Sequence, residues 1–407
     1  MPLLSRRSWI AATMLACVPA CRTPRPVGSD ARRPPGTVIC HSPASSGLFI
    51  GSPSLALLSN GDYVASHDFF GPRSGEHQLA TTRVFRSVNR GRTWRPASVI
   101  EGAFWSSLFV HRGALYLLGP DRHHGRVLIR RSSDGGRTWS QPADGRSGVL
   151  RAGLQHHCAP VPVVEHRGRV WRAMEWRNPP ESWGVHYQAG VLSAPADSDL
   201  LDAANWTASE FLPSDRTWND GDMGAWLEGN VVVAPGGRLV NLMRVDTRGL
   251  PEKAAILEVA EDGRSLSFNP GTGFVNFPGG SKKFTVRPDP RGGGYWTLAS
   301  IVPRGWHTAG KPARVRNTLA VVSSPDLRQW TVRCHLLHHV DHHNHGFQYV
   351  DWHFDGPDMV AVCRTAFDDG MGGAHNAHDA NFLTFHRIRG FRALTMDDSV
   401  PMTRLEP

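Results

Sequence analysis

The chain has 407 residues, 40% of them apolar, with 42 Gly, 30 Pro, 14 Trp and a formal charge of +9. That suffices for a large core, and short apolar runs among so many Gly and Pro residues exclude a long-helix architecture in favour of strands and turns. The basic residues are scattered and no zinc finger, P-loop or aromatic–basic RNA motif occurs, so no nucleic-acid partner is expected and an acidic sugar is the favoured anion.

Residues 1–21 read as an export signal. Ser5-Arg6-Arg7-Ser8-Trp9-Ile10 places twin arginines before the apolar run 10–20, which is too short to cross a bilayer as a helix. Val18-Pro19-Ala20-Cys21 has the form of a lipobox that would acylate Cys21 and attach the protein to a membrane. Met14-Leu15-Ala16-Cys17 is comparable, and a plain cut after Ala20 is the third option. Residues 22–36, rich in Pro and Arg, read as a disordered linker, and 37–407 as one domain of an exported, monomeric protein, periplasmic or at the cell surface. Cys40, Cys158, Cys334 and Cys363 allow either disulfides, in three full pairings, or buried free thiols.

From there one pattern recurs: apolar strand, tight turn, apolar strand, longer loop, strand, turn, short strand. The first unit takes 53–58, 62–66, 82–87 and 97–100, and the second 105–110, 114–118 and 127–132 with a short strand after Trp139. The third takes 159–164, 170–175 and 187–193 with a strand near Trp206, and the fourth 230–234, 239–245 and 254–259 with an edge at 267–268. The fifth takes 284–287, 295–301, 317–323 and 330–336. The sixth takes 347–354, 359–364 and 381–387, with its outermost strand supplied from 37–40 so that a ring closes.

The turn Ser132-Ser133-Asp134-Gly135-Gly136-Arg137-Thr138-Trp139 has the form S-x-D-x-G-x-T-W. Its Asp is placed to accept local backbone N–H groups, its Gly to take a φ other residues resist, and its Trp to plug the turn onto the sheet below. A near copy with Asn in the Asp place runs from Ser87 to Trp94, and a worn copy from Ser324 to Trp330. Three spaced copies indicate a repeat. The octet resembles the Asp-box of sialidases and related propellers, and with six equivalent units it implies an all-β, six-bladed β-propeller of four-stranded antiparallel blades.

In such a ring the leading ends of the innermost strands crowd one mouth of the central channel, opposite the octet turns. Polar residues converge there from every blade: His67, Asp68 and Glu76; Asp121, His123 and His124; His156, His157 and Glu175; Glu228 and Arg244; Lys282, Lys283, Arg314 and Arg316; Tyr349, Asp351 and Arg364; and the run His375–Asn381 with His378 and Asp379. The segment from Glu228 to Arg244 is similar to the sialidase element in which a Glu opens the fourth blade and an Arg closes the next strand. Arg316, with Arg314 as the alternative, matches a further family Arg, and Tyr349 matches the family nucleophile.

The resemblance implies a glycoside hydrolase acting on a terminal, acidic sugar. Tyr349 would attack the anomeric carbon while Glu228 takes its proton, since a phenol near pKa 10 is a poor nucleophile without a carboxylate beside it. Asp68 or Glu76 would be the acid/base, and Arg244, Arg316, Arg364 and Lys283 would hold the substrate anion. His67, His157, Glu175, Asp351, His378 and Asp379 complete the expected binding surface. One position departs from the family: Gly51, in Phe49-Ile50-Gly51-Ser52-Pro53, stands where an Arg holds the substrate carboxylate.

Two other readings keep the fold. A lyase acting on uronate polymers would use His or Tyr as base, drawing on His67, His157 and His378, with Arg or Lys neutralising the carboxylate, and would form a new C=C bond; a non-catalytic sugar-binding propeller would show no turnover. No cofactor is expected. The tract His338–His345 reads as a polar loop bordering the channel rather than a metal site, because nothing local fixes ligand geometry.

Overall fold

The computed structural model describes residues 33–177, 184, 186–303, 306 and 311–402. The expected export signal, the acylated Cys21 and the linker up to residue 32 lie outside the described residues. Six antiparallel sheets make up the rest, each built around a four-strand path. The fold is an all-β, six-bladed propeller. The ring closes as the sequence implies: Thr37–His41 pairs with Phe382–Ile388 as the outermost strand of the last blade, with Thr37 opposite Phe385.

Alternation along the strands explains why the blades pack as they do. On Tyr63–Phe70, the side chains of Tyr63, Ala65 and Phe69 join the core shared with the sixth blade, while Val64 joins the core shared with the second. Every neighbouring pair of blades meets in its own apolar cluster, with Trp171 and Trp226 between the third and fourth and Trp296 and Trp352 between the fifth and sixth. Adjacent sheets therefore share a wedge of side chains, and most of the Trp content is spent there and on the octets.

The octets behave as their residue types require. Asp134 Oδ1 accepts from the N–H groups of Arg137 and Thr138, both at 3.0 Å, and Ser132 Oγ accepts from Gly136 N at 2.9 Å. Gly136 takes φ 89°. Asn89 reproduces the turn by accepting from Thr93 N at 3.0 Å. In the worn copy, Leu327 occupies the left-handed region with φ 68°, and Trp330 Nε1 donates to its carbonyl at 2.9 Å.

One predicted strand is displaced. Residues 159–164 do not form the inner strand of the third blade; short strands His156–His157 and Val164–His166 flank an unpaired stretch. Pro160 and Pro162 lie in that stretch and supply no N–H to a ladder. Cys40, Cys158, Cys334 and Cys363 are buried free thiols.

Candidate active site

Two innermost strands deform in the same way. In Trp226–Val233, Leu227 pairs with Arg244 and Asn230 with Leu242, so Glu228 and Gly229 together oppose one partner residue. In Gly346–Asp355, Gln348 pairs with Arg364 and Asp351 with Val362, so Tyr349 and Val350 oppose one. Each is a β-bulge, and each puts its first residue in the left-handed region: Glu228 at φ 48° and Tyr349 at φ 52°. A non-glycine residue held there costs about 1–3 kcal/mol and persists only where its surroundings over-determine it.

Those surroundings are two buried charges from the preceding blades. Glu175 Oε1 accepts from Gly229 N at 3.0 Å, while its other oxygen pairs with His157 Nδ1 at 2.8 Å. Lys283 Nζ donates to Val350 O at 2.8 Å and to Thr285 Oγ1 at 2.7 Å. Burial brings the Lys283 ammonium down to about 8, with Asp351 and Glu228 resisting that shift.

Glu228 and Tyr349 are brought together by arginines. Arg244 Nη1 donates to Glu228 Oε2 at 2.7 Å, and both side chains are almost wholly buried. Burial opposes the Glu228 charge, yet Arg244, His157 and Lys283 more than offset it and keep the carboxylate below its ordinary range. The guanidinium of Arg364 lies 4.7 Å from the centre of the Tyr349 ring and that of Arg316 5.8 Å. Arg316 also donates to Gln348 Oε1, and burial lowers it to about 10. Arg314 is exposed on a short turn, so Arg316 is the one beside Tyr349. Arg364 Nε donates to the His378 carbonyl at 3.1 Å, with its guanidinium 4.3 Å from the Phe70 ring centre.

The first blade adds two carboxylates. Asp68 is 2% exposed; its Oδ1 accepts from Ser52 N at 3.2 Å and its Oδ2 has no partner. Burial pushes its carboxyl up to about 7, against the pull of its own backbone N–H, Arg364 and Ser52. Glu76, half-buried in the following loop, is also raised by burial, and its Oε1 lies 3.4 Å from His77 Nε2. Tyr349, Glu228, Asp68, Glu76, Arg244, Arg316 and Arg364 thus form one electrostatically connected group.

Other predicted members serve different ends. His67 shares a strand face with Tyr63, Ala65 and Phe69, so it is buried against Phe85 and Phe69 rather than pointing with Asp68; burial lowers it to about 4. Lys283, Glu175 and His157 hold the bulges from beneath. Asp351 ties blades together, accepting from Ser54 Oγ at 3.0 Å and Leu55 N at 2.9 Å with Arg287 at 3.3 Å. Asp379 accepts from the rings of His375 at 2.8 Å and His378 at 2.7 Å, and His378 stands 6.4 Å from the Tyr349 ring.

Sequence reasoning missed Gln348, Gly229 and an aromatic wall in which Trp105 lies 4.6 Å from His123 and 4.5 Å from His157, with Tyr187 4.7 Å from His157. Gly229 had a signal: it directly follows a Glu that must turn inward. In the His338–His345 tract, His345 faces Asp341 at 3.5 Å and Asp368 at 3.4 Å. Among the described residues, no group of three or more His, Cys, Asp or Glu side chains is arranged to hold a metal ion.

Neither a family model nor a curated relative matches this sequence. Solved structures do. A Hadza microbial sialidase superposes with a TM-score of 0.59 at 15% identity, covering 88% of this chain and 69% of that one. The fold is that of the sialidase-type propellers. A Penicillium chrysogenum α-L-arabinanase complexed with arabinobiose gives 0.55 at 14% identity, covering 88% of this chain and 98% of that one. Trypanosoma rangeli sialidase in complex with sialic acid gives 0.53 at 13%, covering 84% and 54%. By their names these structural neighbours are glycoside hydrolases, two of them sialidases and one an arabinanase.

Proposed function

We propose that the protein is an exported glycoside hydrolase that removes a terminal sugar, with Tyr349 as nucleophile. The observation that carries this reading is the pair of matching bulges at a carboxylate and a phenol, with Arg244 bonded to Glu228 and Arg316 and Arg364 over the Tyr349 ring. Glu228, kept ionised by Arg244, takes the phenolic proton as Tyr349 Oη bonds to the anomeric carbon. The bond from that carbon to the leaving oxygen breaks, and Glu76, whose carboxyl burial keeps more protonated than usual, gives that oxygen its proton. Water then cleaves the glycosyl–tyrosine bond, with Glu76 taking the water's proton and Glu228 returning one to Tyr349.

A lyase is less well supported. Of the three histidines it would draw on, His67 is packed among phenylalanines, and His157 and His378 are bound to carboxylates. The twin-arginine leader and Cys21 support export with lipid attachment, tested by mass spectrometry of the mature N-terminus.

Turnover of chromogenic glycosides tests the hydrolase directly. Tyr349→Phe should keep the melting temperature and lose about 10⁴-fold or more in kcat, as removal of a nucleophile does elsewhere. Full activity in that variant would sink the reading.

A further inference from the structure

The corner made by Gly51 and Asp68 bears on which sugar enters, given that the channel mouth is the sugar site proposed above. Gly51 N donates to the Asp68 carbonyl at 2.7 Å. A Cβ on Gly51 would stand 2.2 Å from Asp68 Oδ2 and 2.4 Å from Asp68 O, so any side chain is shut out. The place from which the sialidase family extends an arginine is filled here by a carboxylate. The substitution removes the local positive charge.

That carboxylate is also incomplete. Asp68 Oδ2 is buried and unpartnered, on a side chain 2% exposed. A buried acceptor left unpaired costs about 1–3 kcal/mol, which a donor from a ligand would recover. A sugar hydroxyl is such a donor. An ionised sugar carboxylate has no hydrogen to donate, and it would meet the ionised form of Asp68 as a like charge.

The remaining arginines are already partly committed to the protein. Arg244 is committed to Glu228 at 2.7 Å and to the Ser281 carbonyl at 3.0 Å. Arg316 is held by Gln348, and Arg364 by the His378 carbonyl, with its guanidinium against Phe70 and Tyr349. Bidentate capture of a carboxylate needs two parallel N–H groups in one plane, and each of these guanidinium groups already spends part of its fork on the protein.

We propose that the bound sugar is neutral, a pentose or hexose without a carboxylate, and that Asp68 Oδ2 accepts a hydrogen bond from one of its ring hydroxyls. Asp68 is thereby a specificity residue, distinct from the Tyr349–Glu228 pair.

Titration calorimetry on the wild-type chain tests this independently of turnover, with L-arabinose, D-galactose, D-glucose, N-acetylneuraminic acid and D-glucuronic acid as probes. At least one neutral sugar should bind tenfold or more tightly than either acid. Asp68→Ala, checked for folding by circular dichroism, should weaken that sugar at least tenfold, and Asp68→Asn, which keeps an acceptor, should weaken it less. Tighter binding of either acid, no binding of any probe, or unchanged affinity in a folded Asp68→Ala variant would overturn the proposal. Neutral-sugar binding without hydrolysis of the matching aryl glycosides would sink the hydrolase reading and leave this one standing. Hydrolysis of an aryl sialoside with tight sialic acid binding would do the reverse.

Discussion

The inner strands of the fourth and sixth blades are alike in geometry and opposite in chemistry. Both insert one extra residue, both force it into the left-handed region, and both have an arginine, Arg244 or Arg364, on the adjacent strand. In the fourth blade the exposed backbone group of the bulge is an N–H, and an anion, Glu175, receives it. In the sixth it is a carbonyl, and a cation, Lys283, donates to it. The difference teaches that the scaffold controls direction while the pinning residue matches whichever backbone group the bulge leaves unpaired. One device thus presents an acid in one blade and a phenol in the other.

The largest break in this comparison comes from Glu228→Gln. It keeps shape but removes the proton acceptor, and kcat on the best aryl glycoside should fall about 10²–10⁴-fold; the melting temperature should fall as well, because Arg244 loses its buried counter-charge. An unchanged kcat would mean that the fourth-blade bulge is only architectural.

Next in size is the sixth-blade pin. Lys283 falls from an ordinary 10.5 to about 8 in the folded chain, so over that interval the unfolded chain holds a proton the folded chain lacks, and folding gains as pH rises. Below pH 8 the charged, buried ammonium carries its full penalty, about 3 kcal/mol at roughly 1.4 kcal/mol per pKa unit. The stability difference between wild type and Lys283→Met, from urea melts, should therefore move in favour of wild type by about that much between pH 7 and pH 10.5. A pH-independent difference would show that Lys283 is not desolvated.

The smallest effect is expected from Glu175→Gln. Its amide oxygen still accepts from Gly229, but the charge facing His157 is gone, and kcat/KM should drop about tenfold, or about 1.4 kcal/mol. If kcat falls as far as in Glu228→Gln, Glu175 belongs to the reacting group rather than to the support beneath it.

Much of the architecture was legible because its signals are local. The octet at Ser132–Trp139 specifies its own turn through Asp134 and Gly136, and six repeats of the strand–turn–strand pattern specify six sheets. Glu228, Arg244, Arg316 and Tyr349 could be chosen because strand ends determine which residues crowd the axis. What a period of two cannot reveal is where it breaks. His67 and Asp68 are neighbours, yet alternation buries one among aromatic rings and turns the other toward Arg364. Lys283 and Asp351 look like site charges in sequence, but lie where backbone groups and blade seams need them. Nothing in the residue string marks Tyr349 as left-handed; only the partner register shows it.

Closure of the ring by Thr37–His41 ties the sixth blade to the first described strand, since among the described residues Phe382–Ile388 has no other outer neighbour in its sheet. The blade bearing Tyr349 is therefore completed by the contact of longest sequence separation, whose loop-closure entropy makes it slow to form. A folding chain would hold five finished blades and an unfinished sixth, so if Tyr349 is the nucleophile proposed above, turnover should return last during refolding, after most of the sheet signal has recovered.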